Sequence, residues 1–257
     1  MDTQVLAAQQ LVNSYIDRGV LQEPVGYRVD ENGMTGWPVV YGLIRILQYE
    51  LGIAVLADAF GPGTMSMLSN RYPVINATHG TTEIWRVVQA ALYCKGYAAE
   101  PAAGIGTTLT FAGHYNSQTA QAIAQLKSDI GVGSVYPGSG LEPKVFKCLL
   151  NTDPYYTANG GSVQLTTACR WLNSKYIARR DYIATPCDGN PSRGIQQAVL
   201  LGMQYEVMML MSFPFVSVFI KLLAREAVRE TADFGDHRPR SSEDHREDRP
   251  NDAGIHH

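Results

Sequence analysis

The sequence predicts an all-α protein built from tandem three-helix units, the third of which is incomplete. The first observation is a repeat. The segment 32–53, an Asn-Gly turn followed by an amphipathic stretch, recurs in weaker form at 117–132 and at 188–207, at offsets of about 79 and 156 residues. A repeated period indicates an architecture more strongly than any single motif does.

The second observation is that the same helical face stays apolar in each copy. A helix that packs on a core buries the positions i, i+3, i+4, i+7 and i+11. These positions are Val40, Leu43, Ile44, Leu47 and Leu51 in the first copy, Thr119, Ala122, Ile123, Leu126 and Ile130 in the second, and Gln196, Val199, Leu200, Met203 and Val207 in the third. We therefore expect three long helices that pack through this face.

Shorter helices complete each unit. First helices are predicted over 4–16, 84–97 and 165–176, and the segments 60–68 and 141–150 each combine a turn with a short third helix that begins near a proline. The stretch 98–113, rich in Ala, Gly and Thr, is predicted to be a surface loop. The predicted modules span 1–75, 81–151 and 161–207, followed by an apolar segment and a disordered charged tail over 208–257.

The charge distribution argues against nucleic acid as a partner. The formal net charge of the 257 residues is -3, and the segment 225–257 contains nine acidic and six basic residues, which leaves fifteen of each elsewhere. Nucleic-acid binding requires a clustered basic face, whereas this body is neutral. The four cysteines have no metal-ligand spacing, so we expect small buried or incidental residues, with a disulfide left open and no metal or cofactor.

The segment from Met208 to Lys221 has three interpretations. The largely apolar stretch between Glu206 and Lys221 is about 14 residues long, with Pro214 in its middle, and is shorter than the ~18 to 20 residues that a membrane span needs, so a membrane anchor is disfavoured. The second interpretation is a buried helix before a disordered tail. The third is the truncated or frame-shifted end of a longer parent protein, because the repeat stops at Val207 and the composition changes there.

Several motifs resemble a known family. The run Gly113-His114-Tyr115-Asn116-Ser117-Gln118-Thr119-Ala120-Gln121-Ala122-Ile123 resembles the Asp-Gly-x-x-Gly-Pro-x-Thr-x-x-Ala-Val signature of peptidoglycan-binding-like three-helix domains. The stretches 32–38, 60–64 and 188–189 are similar to further instances of it, so the resemblance covers roughly 3–207. The chain departs from the pattern at 116–117 and 192–193, where Asn-Ser and Ser-Arg stand in place of Gly-Pro. More narrowly, 91–97 and 143–147 resemble a region of actinobacterial proteins that also carry a glycoside-hydrolase-like barrel.

The resemblance implies a groove that binds peptidoglycan, through its glycan or its stem peptide, near the start of the long helix. Free N–H groups at a helix start can hold a carboxylate, and an aromatic ring can lie against a sugar or peptide. The candidate residues are Asn32, Thr35, Trp37 and Tyr41 in the first unit and His114, Tyr115, Asn116 and Thr119 in the second. The alternative is that the threonines cap helices or form turns and that Trp37 belongs partly to the core.

No catalytic constellation is predicted. His79 and His114 are the only histidines before the charged tail, and they have no zinc-site spacing. The adjacent carboxylates Asp30 and Glu31 make a poor acid/base pair, because neighbouring side chains in a turn point apart. The sequence and the resemblance therefore predict a non-catalytic wall-binding protein or the targeting module of a wall-acting protein. The alternatives are a truncated glycoside hydrolase whose catalytic barrel is missing, and a helical interaction scaffold.

The predicted function implies a location at the cell envelope or outside the cell. However, residues 1–10 lack the basic stretch and apolar core of a signal peptide. A cytoplasmic location is therefore the alternative.

Overall fold

The protein is almost entirely helical, which confirms the predicted all-α fold. The computed structural model describes residues 1–21, 28–105, 108–157 and 160–212. The helices in these ranges are α1 (Thr3–Asp17), α2 (Trp37–Glu50), α3 (Pro62–Arg71), α4 (Thr82–Cys94), α5 (Ser117–Ile130), α6 (Pro143–Leu149), α7 (Val163–Tyr176) and α8 (Arg193–Ser212). The predicted apolar segment beyond Ser212 and the charged tail lie outside the described residues.

Local sequence explains where the three long helices begin. The helix α2 starts after Gly36 and carries a proline in its first turn. The helix α5 starts after Asn116, whose Oδ1 accepts a hydrogen bond from the N–H of Thr119 at 2.9 Å. Before α8, the hydroxyl of Ser192 accepts a hydrogen bond from the N–H of Ile195 at 3.3 Å. Such caps satisfy first-turn amides that have no partner within the helix.

A glycine before each long helix packs against the start of the first helix of the same predicted unit. These glycines are Gly33, Gly113 and Gly189, with φ of 65°, 73° and 81°. An added Cβ would lie 2.6 to 2.7 Å from a backbone atom of Asp2, Thr82 and Ser162, respectively. Only glycine combines this left-handed conformation with so close an approach. The same arrangement thus occurs three times along the chain.

A buried glutamine reinforces the arrangement in the first two copies. The N–H of Gly33 donates to Gln9 Oε1 at 2.8 Å, and the N–H of Gly113 donates to Gln89 Oε1 at 2.9 Å. Both glutamines are buried. The corresponding position in the third predicted unit, 80 residues after Gln89, is Cys169, which is also buried. The backbone polar groups of these turns are therefore satisfied by side chains of the first helices, as burial requires.

The helices pack into one compact body over residues 1–203. The helix α2 contacts both α1 and α4, α5 contacts α4 and α7, and α6 contacts α3 and α4. At Gly42, an added Cβ would lie 2.3 Å from Val12, so α1 and α2 approach closely there. Residues from Gln204 onward form a second unit, described only as far as Ser212. The division into modules at 75–81 and 151–161 stays a prediction.

The predicted surface loop at 98–113 contains a β-hairpin. Strands β1 (Ala103–Ile105) and β2 (Thr108–Thr110) pair antiparallel, with Gly104 opposite Leu109. The hairpin is fixed to α1, because the N–H of Ala102 donates to Gln4 Oε1 at 2.7 Å and that of Leu109 to Gln10 Oε1 at 3.0 Å. The excursion therefore joins the first predicted unit to the second.

The predicted buried face is right for two long helices and wrong for the third. All the predicted positions on α2 and α5 are buried. On α8 the positions Gln196, Val199, Leu200, Met203 and Val207 are exposed, and Ile195, Ala198 and Gly202 are buried instead. The equivalent apolar face of α2 packs against α4, whereas no described helix covers this face of α8. Within the described ranges, no helix combines the length and the apolar character that a membrane crossing requires.

Candidate functional site

A cavity of about 300 Å³ opens in front of α2, and we call it the α2 cavity. Thr35, Gly36 and Trp37 form one wall at the helix start, and Cys94 and Lys95 line it from the end of α4. The segment 149–152, which follows α6, closes it. Three segments that are far apart in the sequence therefore meet at the predicted start of the ligand groove.

Trp37 forms an exposed aromatic surface at this cavity. Its side chain is 49% exposed, although it lies on the first turn of a helix whose remaining faces are mostly buried. The indole stacks on Tyr41, with the ring centroids 5.2 Å apart and the planes at 28°. Stacking restricts the orientation of the indole, while about half of the residue stays exposed.

Lys95 is the charged group of the cavity. Its Nζ donates to Asn151 Oδ1 and to the backbone oxygen of Asp153, both at 2.6 Å, and lies 5.0 Å from the centre of the Tyr155 ring. Burial lowers the pKa of Lys95 to about 8, against the opposing effect of Asp153. An ammonium group has three donors, and two of them have hydrogen-bond partners here.

The thiol of Cys94 is unreactive as a nucleophile in this environment. Burial raises the pKa of its thiol to about 12, although a hydrogen bond with the Thr35 side chain acts in the opposite direction. A thiol that stays protonated at neutral pH is a poor nucleophile. The cavity thus offers hydrogen bonds, one ammonium group and an aromatic face, which suits binding better than covalent chemistry.

A larger cavity of about 710 Å³ lies in front of α8, and we call it the α8 cavity. The residues that line it include Asp153, Asp181 and Asp188. Asp188 lies in the turn before α8, where its carboxylate accepts hydrogen bonds from the backbone and side chain of Asn190 at 3.2 and 2.9 Å. This cavity therefore has the opposite charge character to the α2 cavity.

The remaining predicted residues of the first unit lie beside the α2 cavity rather than in it. Asn32 Oδ1 accepts hydrogen bonds from Gln9 Nε2 and from the N–H of Met34, both at 2.9 Å. Its side chain therefore stabilises the turn before α2. Tyr41 contributes through its stacking on Trp37.

The four predicted residues of the second unit line neither cavity. His114 Nε2 is exposed and lies 3.3 Å from Glu100, and the hydroxyl of Tyr115 lies 2.5 Å from Ser139 Oγ. Asn116 caps α5, and Thr119 is fully buried, with its hydroxyl accepting a hydrogen bond from the N–H of Glu100 at 3.5 Å. The contacts named here for these four side chains all lie within the second predicted unit.

Sequence reasoning missed Lys95, Asn151 and Asp153. Asn151 and Asp153 belong to a stretch with turn residues, which predicts a linker, and Lys95 follows the apolar face of a first helix. Of the three residues, only Lys95 has a residue type that the local sequence explains, because a cation at the end of a helix is favourable. That explanation holds whether or not the lysine binds a ligand. Its position in a cavity depends on how distant segments pack.

Comparisons with known proteins found one family model and two relatives that are similar to this chain. Residues 158–214 match a family model described as the FadG/YbfG, PGDB-like domain. The chain is 38% identical over 207 residues to the uncharacterized protein FadG of Bacillus subtilis (strain 168), and 30% identical over 211 residues to the uncharacterized protein YbfG of the same strain. Each alignment covers 80% of the chain, but only 33% of FadG and 26% of YbfG.

No solved structure matches the chain. Neither relative links it to the actinobacterial barrel proteins. Over four fifths of its length the chain is thus similar to two uncharacterized proteins that are much longer, and its third predicted unit matches a domain of peptidoglycan-binding-like type.

Proposed function

We propose that the chain is a non-catalytic binding protein for bacterial cell-wall peptidoglycan and that the α2 cavity holds the ligand. Support comes from the PGDB-like match at 158–214 and from the three-fold recurrence of the glycine arrangement, which relates that region to the α2 region. Such a ligand implies a location at the cell envelope or outside the cell.

The observation that carries the proposal is Trp37. A tryptophan that is 49% exposed and stacked in a fixed orientation at the edge of a cavity provides a flat apolar surface beside polar groups. Binding sites commonly combine an aromatic surface with a few placed polar groups, and here a sugar ring or a peptide plane would lie against the indole.

Two features suit the carboxylate of a stem peptide. Gly36 provides no side-chain cap to α2, and the N–H of Trp37, a residue that lines the cavity, has no hydrogen-bond partner among the described residues. Lys95, which lines the same cavity, adds an ammonium group. Amides at a helix start and a cation together form a site for an anion.

The test is retention on purified peptidoglycan. We expect the full chain to sediment with insoluble sacculi, and soluble stem peptide to compete if the carboxylate is the main determinant. A protein of similar size and net charge gives the background. Retention no greater than that background would contradict the proposal.

A helical interaction scaffold is the second candidate, and one observation favours it. Val199, Leu200 and Met203 on α8 are 44%, 58% and 61% exposed, and together they form an apolar stripe. Exposed apolar stripes of this kind commonly mark protein interfaces. If the scaffold is the main function, replacing Trp37 with alanine leaves wall retention unchanged, and replacing Leu200 with serine changes the elution volume of the protein.

A hydrolase with a catalytic barrel downstream is a third possibility, to which the greater length of both relatives is relevant. Reading the coding DNA beyond the codon for Val207 in the other frames tests it. A continued repeat or a barrel sequence would favour it, and neither in any frame would remove it.

A further inference from the structure

We propose that one face of α8 docks the first helix of a further PGDB-like unit. The face consists of Val199, Leu200 and Met203, which are 44%, 58% and 61% exposed, and we call it the α8 stripe. These three residues are not among those that line the α2 cavity. The proposal therefore goes beyond wall binding, and it names the partner that an apolar stripe on this helix takes.

The long helices before α8 each pack between two first helices. The helix α2 contacts α1 of its own predicted unit and α4 of the next, and α5 contacts α4 of its own unit and α7 of the next. The positions that correspond to the α8 stripe are at most 5% exposed in both: Leu43, Ile44 and Leu47 on α2, and Ala122, Ile123 and Leu126 on α5. This face is thus buried in each long helix that has a described first helix after it.

The helix α8 has the first of these two neighbours. An added Cβ at Gly202 would lie 3.0 Å from the ring of Tyr176, so α8 meets α7 there. In the same way, an added Cβ at Gly42 would lie 2.3 Å from Val12, where α2 meets α1. With 3.6 residues per turn, the centre of the α8 stripe lies about 100° around the helix from Gly202. Among the described residues no helix follows α8, so the second neighbour is what the α8 stripe lacks.

The α8 stripe suits an apolar helix rather than a charged partner. The range 194–204 contains no Asp, Glu, Lys or Arg. On α4, the small residues Ala91 and Cys94 line the α2 cavity together with Leu43, so small side chains of a first helix lie beside this face of a long helix. Small side chains at the contact shorten the distance between two helix axes. A first helix of the same kind therefore fits the α8 stripe.

The size of the α8 stripe disfavours a second copy of this chain as the partner. Stable complexes of two folded proteins bury about 800 Å² on each side, far more than three half-exposed side chains provide. A further unit of the same array needs no such area, because covalent linkage supplies a high effective concentration. Neighbouring repeats cover each other's apolar faces in this way.

Disulfide trapping tests the proposal on the full chain. The probe is an acetylated peptide of residues 81–97, which spans α4 and contains Cys94. Gln196 is exposed and corresponds to Val40, which lines the α2 cavity together with Cys94. Gln196→Cys should therefore form a mixed disulfide with the peptide in a glutathione buffer. Gln197→Cys, at the neighbouring exposed residue outside the α8 stripe, is the matched control.

We expect about tenfold more mixed disulfide at position 196 than at position 197, because docking holds the two thiols together. A free helix of this length is marginally stable in water, and covalent capture makes even weak docking measurable. Both positions are exposed, so the intrinsic reactivity of the two thiols should be similar.

Two further changes locate the contact. Leu200→Ser, added to Gln196→Cys, should lower trapping about tenfold, because docking no longer buries a leucine side chain. A peptide with Ala91→Glu should fall to the level of the control position, since a charge replaces a small side chain at the contact. Leu200 is 58% exposed, so the thermal melt of its variant should stay close to that of the parent protein.

Equal trapping at positions 196 and 197, or trapping that Leu200→Ser leaves unchanged, would overturn the proposal. So would a disulfide between two copies of the chain that forms more readily in Gln196→Cys than in Gln197→Cys and excludes the peptide, since a second copy would then be the partner. Failure of the proposed wall binding is distinguishable, because sacculus retention tracks Trp37 rather than Leu200.

Discussion

Lys95 Nζ lies 2.6 Å from the backbone oxygen of Asp153, so a side chain of the α2 cavity holds the backbone of a residue that lines the α8 cavity. The first helix of the second predicted unit thus fixes the segment that leads into the third. The lysine is largely buried, and its protonation affects both folding and the charge of the α2 cavity.

The free energy of unfolding should depend on pH in the way that the lowered pKa of Lys95 requires. Burial lowers this pKa from 10.5 to about 8 in the folded state. The folded protein therefore holds this proton less tightly than the unfolded chain, so the lysine destabilises the fold fully below pH 8. Between pH 8 and pH 10.5 its contribution to the free energy of unfolding rises with pH, by at most about 1.4 kcal/mol per unit.

Urea unfolding at several pH values measures this contribution when the parent protein is compared with Lys95→Met. The buried thiols, whose raised pKa values make stability fall at high pH, are present in both proteins, so their contribution cancels apart from the part that Lys95 itself causes by lowering their pKa values. We expect the difference in the free energy of unfolding, parent minus variant, to grow from pH 8 to pH 10. A constant difference would contradict the assigned pKa.

Ligand binding should also depend on the protonation of Lys95, but it should weaken as the pH rises, whereas the contribution of Lys95 to stability grows. If the Lys95 ammonium binds a carboxylate, retention on sacculi should fall as the pH rises through about 8. Lys95→Arg keeps its charge over this range and should hold retention constant, because a guanidinium group does not lose its proton. Parallel pH profiles for the two proteins would remove Lys95 from the site.

The close approach at Gly33 should make it far less replaceable than Gly19. Both residues have positive φ, 65° and 71°, but an added Cβ at Gly33 would lie 2.7 Å from the Asp2 carbonyl, whereas nothing lies within 4 Å at Gly19. Gly19→Ala should cost about 1 kcal/mol, from the left-handed conformation alone. Gly33→Ala should cost about 3 kcal/mol or more, because the backbone must also shift. Equal urea midpoints for the two variants would contradict the packing described.

The helices followed from the sequence because long amphipathic patterns are local. The helix predicted over 4–16 is observed over Thr3–Asp17, and that predicted over 165–176 over Val163–Tyr176. The hairpin did not follow, since its strands, Ala-Gly-Ile and Thr-Leu-Thr, are too short to carry a periodic signal. It is held by Gln4 and Gln10, nearly 100 residues earlier in the chain.

Part of the candidate site could also be predicted from the sequence, because that part depends on a local pattern. Thr35 and Trp37 adjoin a recognisable helix start and do line the α2 cavity. Lys95 and Asn151 reach it from other units, and nothing in their neighbouring residues indicates this. Thr119 shows the converse, since its motif position resembles that of a ligand contact but packing buries it completely. The face of α8 was misjudged because its packing depends on a neighbouring helix rather than on its own pattern.

The buried ion pair between Lys127 and Glu142 should behave as a unit. Lys127 is 1% exposed, its Nζ lies 2.8 Å from Glu142 Oε2, and it also donates to the carbonyl of Gly138 at 3.2 Å. Lys127→Met should destabilise the protein by about 3 kcal/mol, because it leaves a partly buried carboxylate without its partner.

Adding Glu142→Gln should recover part of that loss, since no buried charge then remains. The equivalent position in α2 is the buried Gln48, so an uncharged side chain is compatible with this place in a long helix. A double-mutant cycle from urea unfolding gives the coupling energy. Simple additivity of the two changes would contradict the pairing.

The most direct test of the account compares two tryptophans. Trp37 and Trp171 are 49% and 56% exposed, but only Trp37 lines the α2 cavity. Binding of each alanine variant to purified sacculi should be measured as a full isotherm, with the parent protein alongside. We predict that Trp37→Ala weakens binding about tenfold or more while Trp171→Ala leaves it within about twofold. Equal binding by the two variants, or a larger loss in Trp171→Ala, would contradict the assignment of the α2 cavity as the wall-binding site.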